Sequence, residues 1–144
     1  MINIVLCTGG FDPLHSGHIS YLKHAGKLGD YLIVGLNSDR WLTAKKGRPF
    51  MDWNERQIIL DNLRMVDRVI DFDDSDGTAC NAIRRVKSMF PDDRLIFANG
   101  GDRTKENIPE MIFDDVEFVF GIGGVDKRNS SSVLLQQWKD NNGL

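Results

Sequence analysis

The 144-residue chain carries 41% hydrophobic and 27% charged residues, an ordinary globular balance expected to fold as one domain. Its formal net charge of −3 excludes a general nucleic-acid or membrane-surface binder, so any positive charge with a function must be local. A core of this size needs neither disulfide nor metal to fold, and Cys7 and Cys80, far apart in apolar settings, read as reduced core residues. The opening run Ile2 to Leu6 is too short for a signal sequence or a membrane span, so a cytoplasmic setting is expected.

In chain order, Ile4-Val5-Leu6 reads as a buried strand. Ile19, Leu22, Ala25 and Leu28 then recur every three residues, as on one helix face, and Gly29-Asp30 ends the pattern. Tyr31 to Leu36 is a continuous apolar run of the kind buried on both faces of a parallel sheet. The polar stretch Asn37 to Met51, with Lys45-Lys46-Gly47-Arg48-Pro49, is expected to be a flexible loop. Asp52, with Glu55 three residues on, has the form of a helix cap, and the helix it opens carries Ile58, Ile59 and Leu63.

A third strand is expected over Asp67 to Phe72 and a helix over Thr78 to Phe90, stopped by Pro91. A fourth strand, Arg94 to Ala98, ends at Asn99-Gly100-Gly101-Asp102. A loop or short helix around Lys105 to Phe113 leads to a fifth strand, Val116 to Phe120. The final helix is placed from Ser130 to about Lys139. Five alternations of strand and helix with short links predict a single α/β domain: a Rossmann-like, doubly wound, five-stranded parallel sheet. Such sheets bind ligands beyond the carboxyl ends of their strands, where the strand order switches.

The strongest local signal is Thr8-Gly9-Gly10-Phe11-Asp12-Pro13-Leu14-His15-Ser16-Gly17-His18, at the turn from first strand to first helix. Gly9 and Gly10 permit positive φ or close approach to a ligand. His15 and His18, three apart at a helix start, share a face, and Gly17 leaves the approach between them open. A helix N-terminus favours anions, so two imidazoles beside one make a phosphate cradle. Zinc ligation is the alternative for such a pair, but no further His or Cys stands at a useful spacing. Gly121-Ile122-Gly123-Gly124 lacks the register and position of a dinucleotide fingerprint and reads as a flexible loop. His24 reads as surface; Trp41, Trp53 and Trp138 are open between a pocket lining and core or dimer packing.

Gly10 to His18 resembles the signature of the cytidylyltransferase-like nucleotidyltransferase superfamily, with His15-Ser16-Gly17-His18 matching its H-x-G-H motif. Asn37-Ser38-Asp39, Lys46-Gly47-Arg48-Pro49, Glu55-Arg56 and Gly100-Gly101-Asp102 resemble the heptose-phosphate adenylyltransferase branch. The short chain is shared with the glycerol-3-phosphate cytidylyltransferases, and Ser130-Ser131-Ser132 stands where the family has Ser-Thr-Thr. The resemblance implies transfer of CMP or AMP from CTP or ATP to a phosphorylated polyol or sugar, with release of pyrophosphate. A nucleotide-binding regulatory module of the same fold, without transfer, is the alternative.

The resemblance also implies the roles. His15, His18 and Lys46 would be catalytic, the imidazoles on the bridging and α-phosphate oxygens and Lys46 or Lys45 closing over the phosphates. Thr8, Gly9, Gly10, Phe11, Asp12, Gly17, Gly101, Asp102, Ser130, Ser131 and Ser132 would surround the nucleotide. Lys45, Arg48 and Arg56 would face the substrate, although Arg56 could equally lie exposed on its helix. Asp12 would orient backbone or a metal-bound water; Asp102 is open between the sugar, the metal and a turn. Magnesium is expected to arrive on the triphosphate with no dedicated protein ligand, and the resemblance implies a homodimer without nucleic-acid or membrane partners.

Overall fold

A computed structural model describes residues 1–101, 108–123 and 131–141. Five strands, β1 (Asn3–Gly9), β2 (Tyr31–Leu36), β3 (Arg68–Ile70), β4 (Arg94–Gly100) and β5 (Glu117–Ile122), form one sheet. Their spatial order is β3-β2-β1-β4-β5, and every pairing is parallel. The chain winds outward from β1 to β3, then returns to place β4 on the other side of β1. The switch in order therefore falls between β1 and β4, and both strands end there in glycine.

Alternation along β1 divides the core into two layers. Ile4 and Leu6 point to one face, where Ile33 and Phe97 join Ala82, Ile83 and Val86 of helix α4 (Cys80–Met89). Val5 and Cys7 point to the other, against Leu22 and Ala25 of helix α1 (Ser16–Gly26) and Leu60 of helix α3 (Trp53–Asp61). Burial pushes the Cys7 thiol up to about 12, so it behaves as a small apolar side chain at neutral pH. Cys80 is also buried and free, as the sequence predicts.

Three local expectations are corrected. The polar stretch after β2 contains a helix, α2 (Asp39–Lys46), rather than a flexible loop. Ser38 caps it by accepting from the Trp41 amide at 3.0 Å, Leu42 anchors it in the interior, and Gly47 ends it at φ 95°. With a single buried apolar residue in eight, its sequence carries no clear helical period. Helix α3 carries Ile58 and Ile59 but ends at Asp61, so Leu63 lies beyond it, and its buried residues are Arg56 and Leu60. The Gly121 segment belongs to β5, which runs on to Ile122; Gly124 lies outside the described residues.

A short 3₁₀ turn, Pro109–Ile112, precedes β5, and helix α5 spans Ser131–Asn141. Among the described residues, no helix is long and apolar enough to cross a membrane.

Candidate active site

Beyond the carboxyl end of β1 the chain turns through Gly10 and Phe11 into α1. Phe11 adopts φ 49°, a left-handed conformation unfavourable for a phenylalanine. It is held there by burial of its ring, which meets the His18 imidazole edge-on at 5.0 Å. The Asp12–Pro13 peptide bond is cis.

The two histidines close the helix start on themselves. His15 is the N-cap: its Nδ1 accepts from the Gly17 amide at 3.1 Å, and His18 Nδ1 accepts from the His15 amide at 3.2 Å. Two amides that a helix start leaves without intrahelical partners are thereby satisfied. The rings stack with centroids 3.8 Å apart and 25° between planes. Any Cβ on Gly17 would sit 2.9 Å from His15 Cε1, so only glycine admits this ring position.

The same bonds set the protonation state. Burial, then the charge of neighbouring His15, lowers His18 to about 4; burial also lowers His15 from its usual value. Both rings are therefore neutral at neutral pH. With Nδ1 accepting, the proton of each ring resides on Nε2, which makes Nε2–H a donor without net charge.

Asp12 clamps the turn to the segment after α2. Its buried carboxylate accepts from the Phe50 and Met51 amides at 2.6 and 2.7 Å and pairs with Lys46 Nζ at 2.9 Å. Lys46 also donates to the Asp12 carbonyl at 2.5 Å. These bonds order the backbone at Phe50 and Met51. Lys46 is correspondingly the last residue of a helix, tied to the glycine turn, rather than a lysine on a loose loop.

Arg56 is a further correction. Rather than exposed on its helix, it is buried at 1% exposure. Its guanidinium donates to the Met51, Gly10 and Asn37 carbonyls at 3.0, 2.9 and 2.9 Å and to Asp39 Oδ1 at 2.7 Å. Three carbonyls from three segments converge on one planar fork, which a flexible lysine could not serve. Gly10, whose Cβ would come within 2.9 Å of Leu42, is pressed against α2 from the other side.

A cavity of about 560 Å³ opens between α2 and the segment after β3, lined by Arg40, Trp41, Ala44, Lys45, Asp74, Ser75 and Gly77. It lies past the ends of β2 and β3. Buried Asp74 builds its wall by accepting from Asn37 Nδ2 at 3.0 Å, the Ser38 amide at 2.8 Å and the Ser38 hydroxyl at 2.7 Å. Arg40, Asp74 and Ser75 are not among the residues that the sequence reading singles out.

The remaining expected residues are placed as follows. Thr8 and Gly9 end β1, and Gly101 follows β4 across the switch. Arg48 is exposed beyond α2, and Ser131 and Ser132 open α5. Asp102 and Ser130 lie outside the described residues. Trp53 packs against the core and donates to the Leu36 carbonyl at 3.1 Å; Trp138 and His24 are exposed. Among the described residues no three His, Cys, Asp or Glu side chains gather as metal ligands, and the Asp12 carboxylate is already engaged by two amides and an ammonium.

A glycine turn and a histidine-capped helix thus lie at the switch point of a doubly wound parallel sheet, the place where α/β folds of this class bind ligands. The sequence profile described as cytidylyltransferase-like matches residues 6–122, and the chain belongs to that family. Bifunctional protein HldE of Citrobacter koseri is 40% identical over 141 residues, which is 95% of this chain and 28% of the relative. The HldE protein of Campylobacter concisus is 35% identical over 140 residues, again 95% of this chain and 27% of the relative. The chain thus spans little more than a quarter of these relatives.

Among solved structures, the lipopolysaccharide core biosynthesis protein of Thermoplasma volcanium is similar with a TM-score of 0.65 at 31% identity. That match covers 83% of this chain and 96% of the other. The nicotinic acid mononucleotide adenylyltransferase of Plasmodium falciparum matches with a TM-score of 0.57 at 16% identity, over 94% and 83% of the two chains, and shows a shared fold.

Replacing Arg56 with methionine, which leaves the buried Asn37 carbonyl and the part-buried Gly10 and Met51 carbonyls without their donor, is expected to cost about 1–3 kcal/mol in urea unfolding. A variant of unchanged stability with weakened nucleotide binding would instead mark Arg56 as a phosphate contact. His18 gives a second check. With its value lowered from 6.5 to about 4, the folded state binds fewer protons than the unfolded state between those pH values. Stability is then full above about 6.5 and falls as the pH drops towards 4, by roughly 3 kcal/mol. His18→Asn, which keeps an acceptor but cannot titrate, should flatten that slope in unfolding curves taken across the window.

Proposed function

We propose that the enzyme transfers AMP or CMP from ATP or CTP to a phosphorylated sugar or polyol and releases pyrophosphate. The observation that carries this reading is the reciprocal histidine cap at the sheet's switch point. It presents two neutral Nε2–H donors at a helix N-terminus that also attracts anions. Among acceptors, a sugar 1-phosphate is favoured over glycerol 3-phosphate. Relatives at 35–40% identity are HldE proteins, and a 31% identical one is named for lipopolysaccharide core biosynthesis, a sugar assembly.

In this reading an oxygen of the acceptor phosphate attacks the α-phosphorus. The bond from that phosphorus to the α–β bridging oxygen breaks, and its electrons leave with pyrophosphate. The attacking phosphate monoester is already an anion, so no general base is required. The barrier is alignment and repulsion between anions, which fixed donors address. His15 and His18 donate to the bridging and α-phosphate oxygens, where charge develops. A neutral donor on a capped ring keeps its direction without drawing a competing counter-ion.

The glycine turn takes the nucleotide, and the start of α5 with its serines takes the β- and γ-phosphates. The cavity beside Trp41 takes the acceptor, with Lys45 and Arg48 offered to its phosphate. Magnesium carried by the triphosphate would offset its charge. A homodimer and a cytoplasmic setting belong to the same reading, and Phe50, Ile58, Ile112 and Trp138 supply exposed apolar area for association.

The test is pyrophosphate release from each of ATP and CTP with aldoheptose 1-phosphate and with sn-glycerol 3-phosphate. Activity with one pair is expected, and His15→Ala or His18→Ala should each lower turnover by roughly 100- to 1,000-fold. Nucleotide binding without pyrophosphate from any pair would contradict transfer to this class of acceptor.

A further inference from the structure

The two adjacent lysines of α2 are held in opposite ways. Lys46 is neutralised by the buried carboxylate of Asp12. Lys45 has no carboxylate within ion-pair distance among the described residues; its Nζ lies over the indole of Trp41, 4.7 Å from the ring centroid. The pairing follows from helix geometry, since positions four apart share a face. Both side chains line the 560 Å³ cavity.

Trp41 itself is firmly placed. Its amide donates to Ser38 Oγ at 3.0 Å, and that hydroxyl donates to buried Asp74 at 2.7 Å. On its far side, Cζ3 lies 3.5 Å from the point a Gly10 Cβ would occupy. The indole therefore spans from the glycine turn to the cavity.

We propose that Trp41 is the positioning residue for Lys45: its aromatic face holds the ammonium at the cavity edge while leaving the positive charge available to the acceptor's phosphate. This rests on the reading of the cavity as the acceptor pocket. The physical contrast is with Lys46. A carboxylate partner fixes a lysine but cancels its charge, and an incoming phosphate would have to displace it. A ring quadrupole attracts the ammonium yet carries no net charge, so orientation and full cationic strength coexist. A lysine held in place also has less rotamer freedom left to lose when the phosphate binds.

The test is steady-state kinetics on the full chain with the acceptor pairs named above, for Lys45→Ala, Trp41→Ala, Trp41→Phe, Trp41→Leu and the Trp41→Ala/Lys45→Ala double variant. Lys45→Ala should raise the acceptor KM about tenfold or more, and Trp41→Ala about three- to tenfold, with the nucleotide KM within about twofold. Phenylalanine, which keeps a quadrupole, should restore most of the loss. Leucine, which fills the space without one, should not, and it keeps the comparison valid if alanine unfolds the helix. The double variant should be no worse than Lys45→Ala alone. Additive losses, or full activity with leucine, would overturn the role of Trp41 while leaving the acceptor pocket intact. A rise in the nucleotide KM without a rise in the acceptor KM would instead overturn the pocket assignment, and this inference with it.

Discussion

A helix start leaves backbone amides without partners, and here two imidazoles supply them. The reciprocal bonds between His15 and His18 do three things at once. They begin α1 at Ser16, fix the stack of the two rings, and hold the Nδ1 atoms as acceptors so that Nε2 carries each proton. Burial removes the remaining freedom by keeping His18 neutral. Cap, orientation and charge state are one arrangement, and Gly17 is its steric condition.

The surrounding polar network makes that arrangement rigid. Asp12 draws the Phe50 and Met51 amides onto the histidine turn, and Arg56 gathers carbonyls from Gly10, Asn37 and Met51. Both are buried charges that hold backbone from separate segments as well as one oppositely charged side chain, which locks irregular chain beyond the carboxyl end of the central strand. The cavity wall has its own buried anchor in Asp74, which holds Asn37 and Ser38 at the start of α2.

Much of this was legible in the sequence for physical reasons. Parallel strands buried on both faces appear as unbroken apolar runs, and α1 and α4 show a clear stripe, so sheet and crossovers could be placed closely. The histidine turn stood out because its residue types are specific and adjacent. Helix α2 was hidden because it is held by a cap and one leucine rather than by an apolar face. Arg56 was misjudged since an arginine's partners here are carbonyl oxygens, which leave no mark in residue types. The cavity joins α2 to the residues after β3, a pairing set by the sheet and not by any local pattern.

The account stands most directly on the state of the two imidazoles, which ¹⁵N-histidine NMR across pH reads ring by ring. It predicts Nε2–H tautomers for both at neutral pH, with His18 staying neutral until near pH 4 and both Nε2 resonances shifting when nucleotide is added. An Nδ1–H tautomer, or a His18 that titrates at the ordinary 6.5, would contradict it.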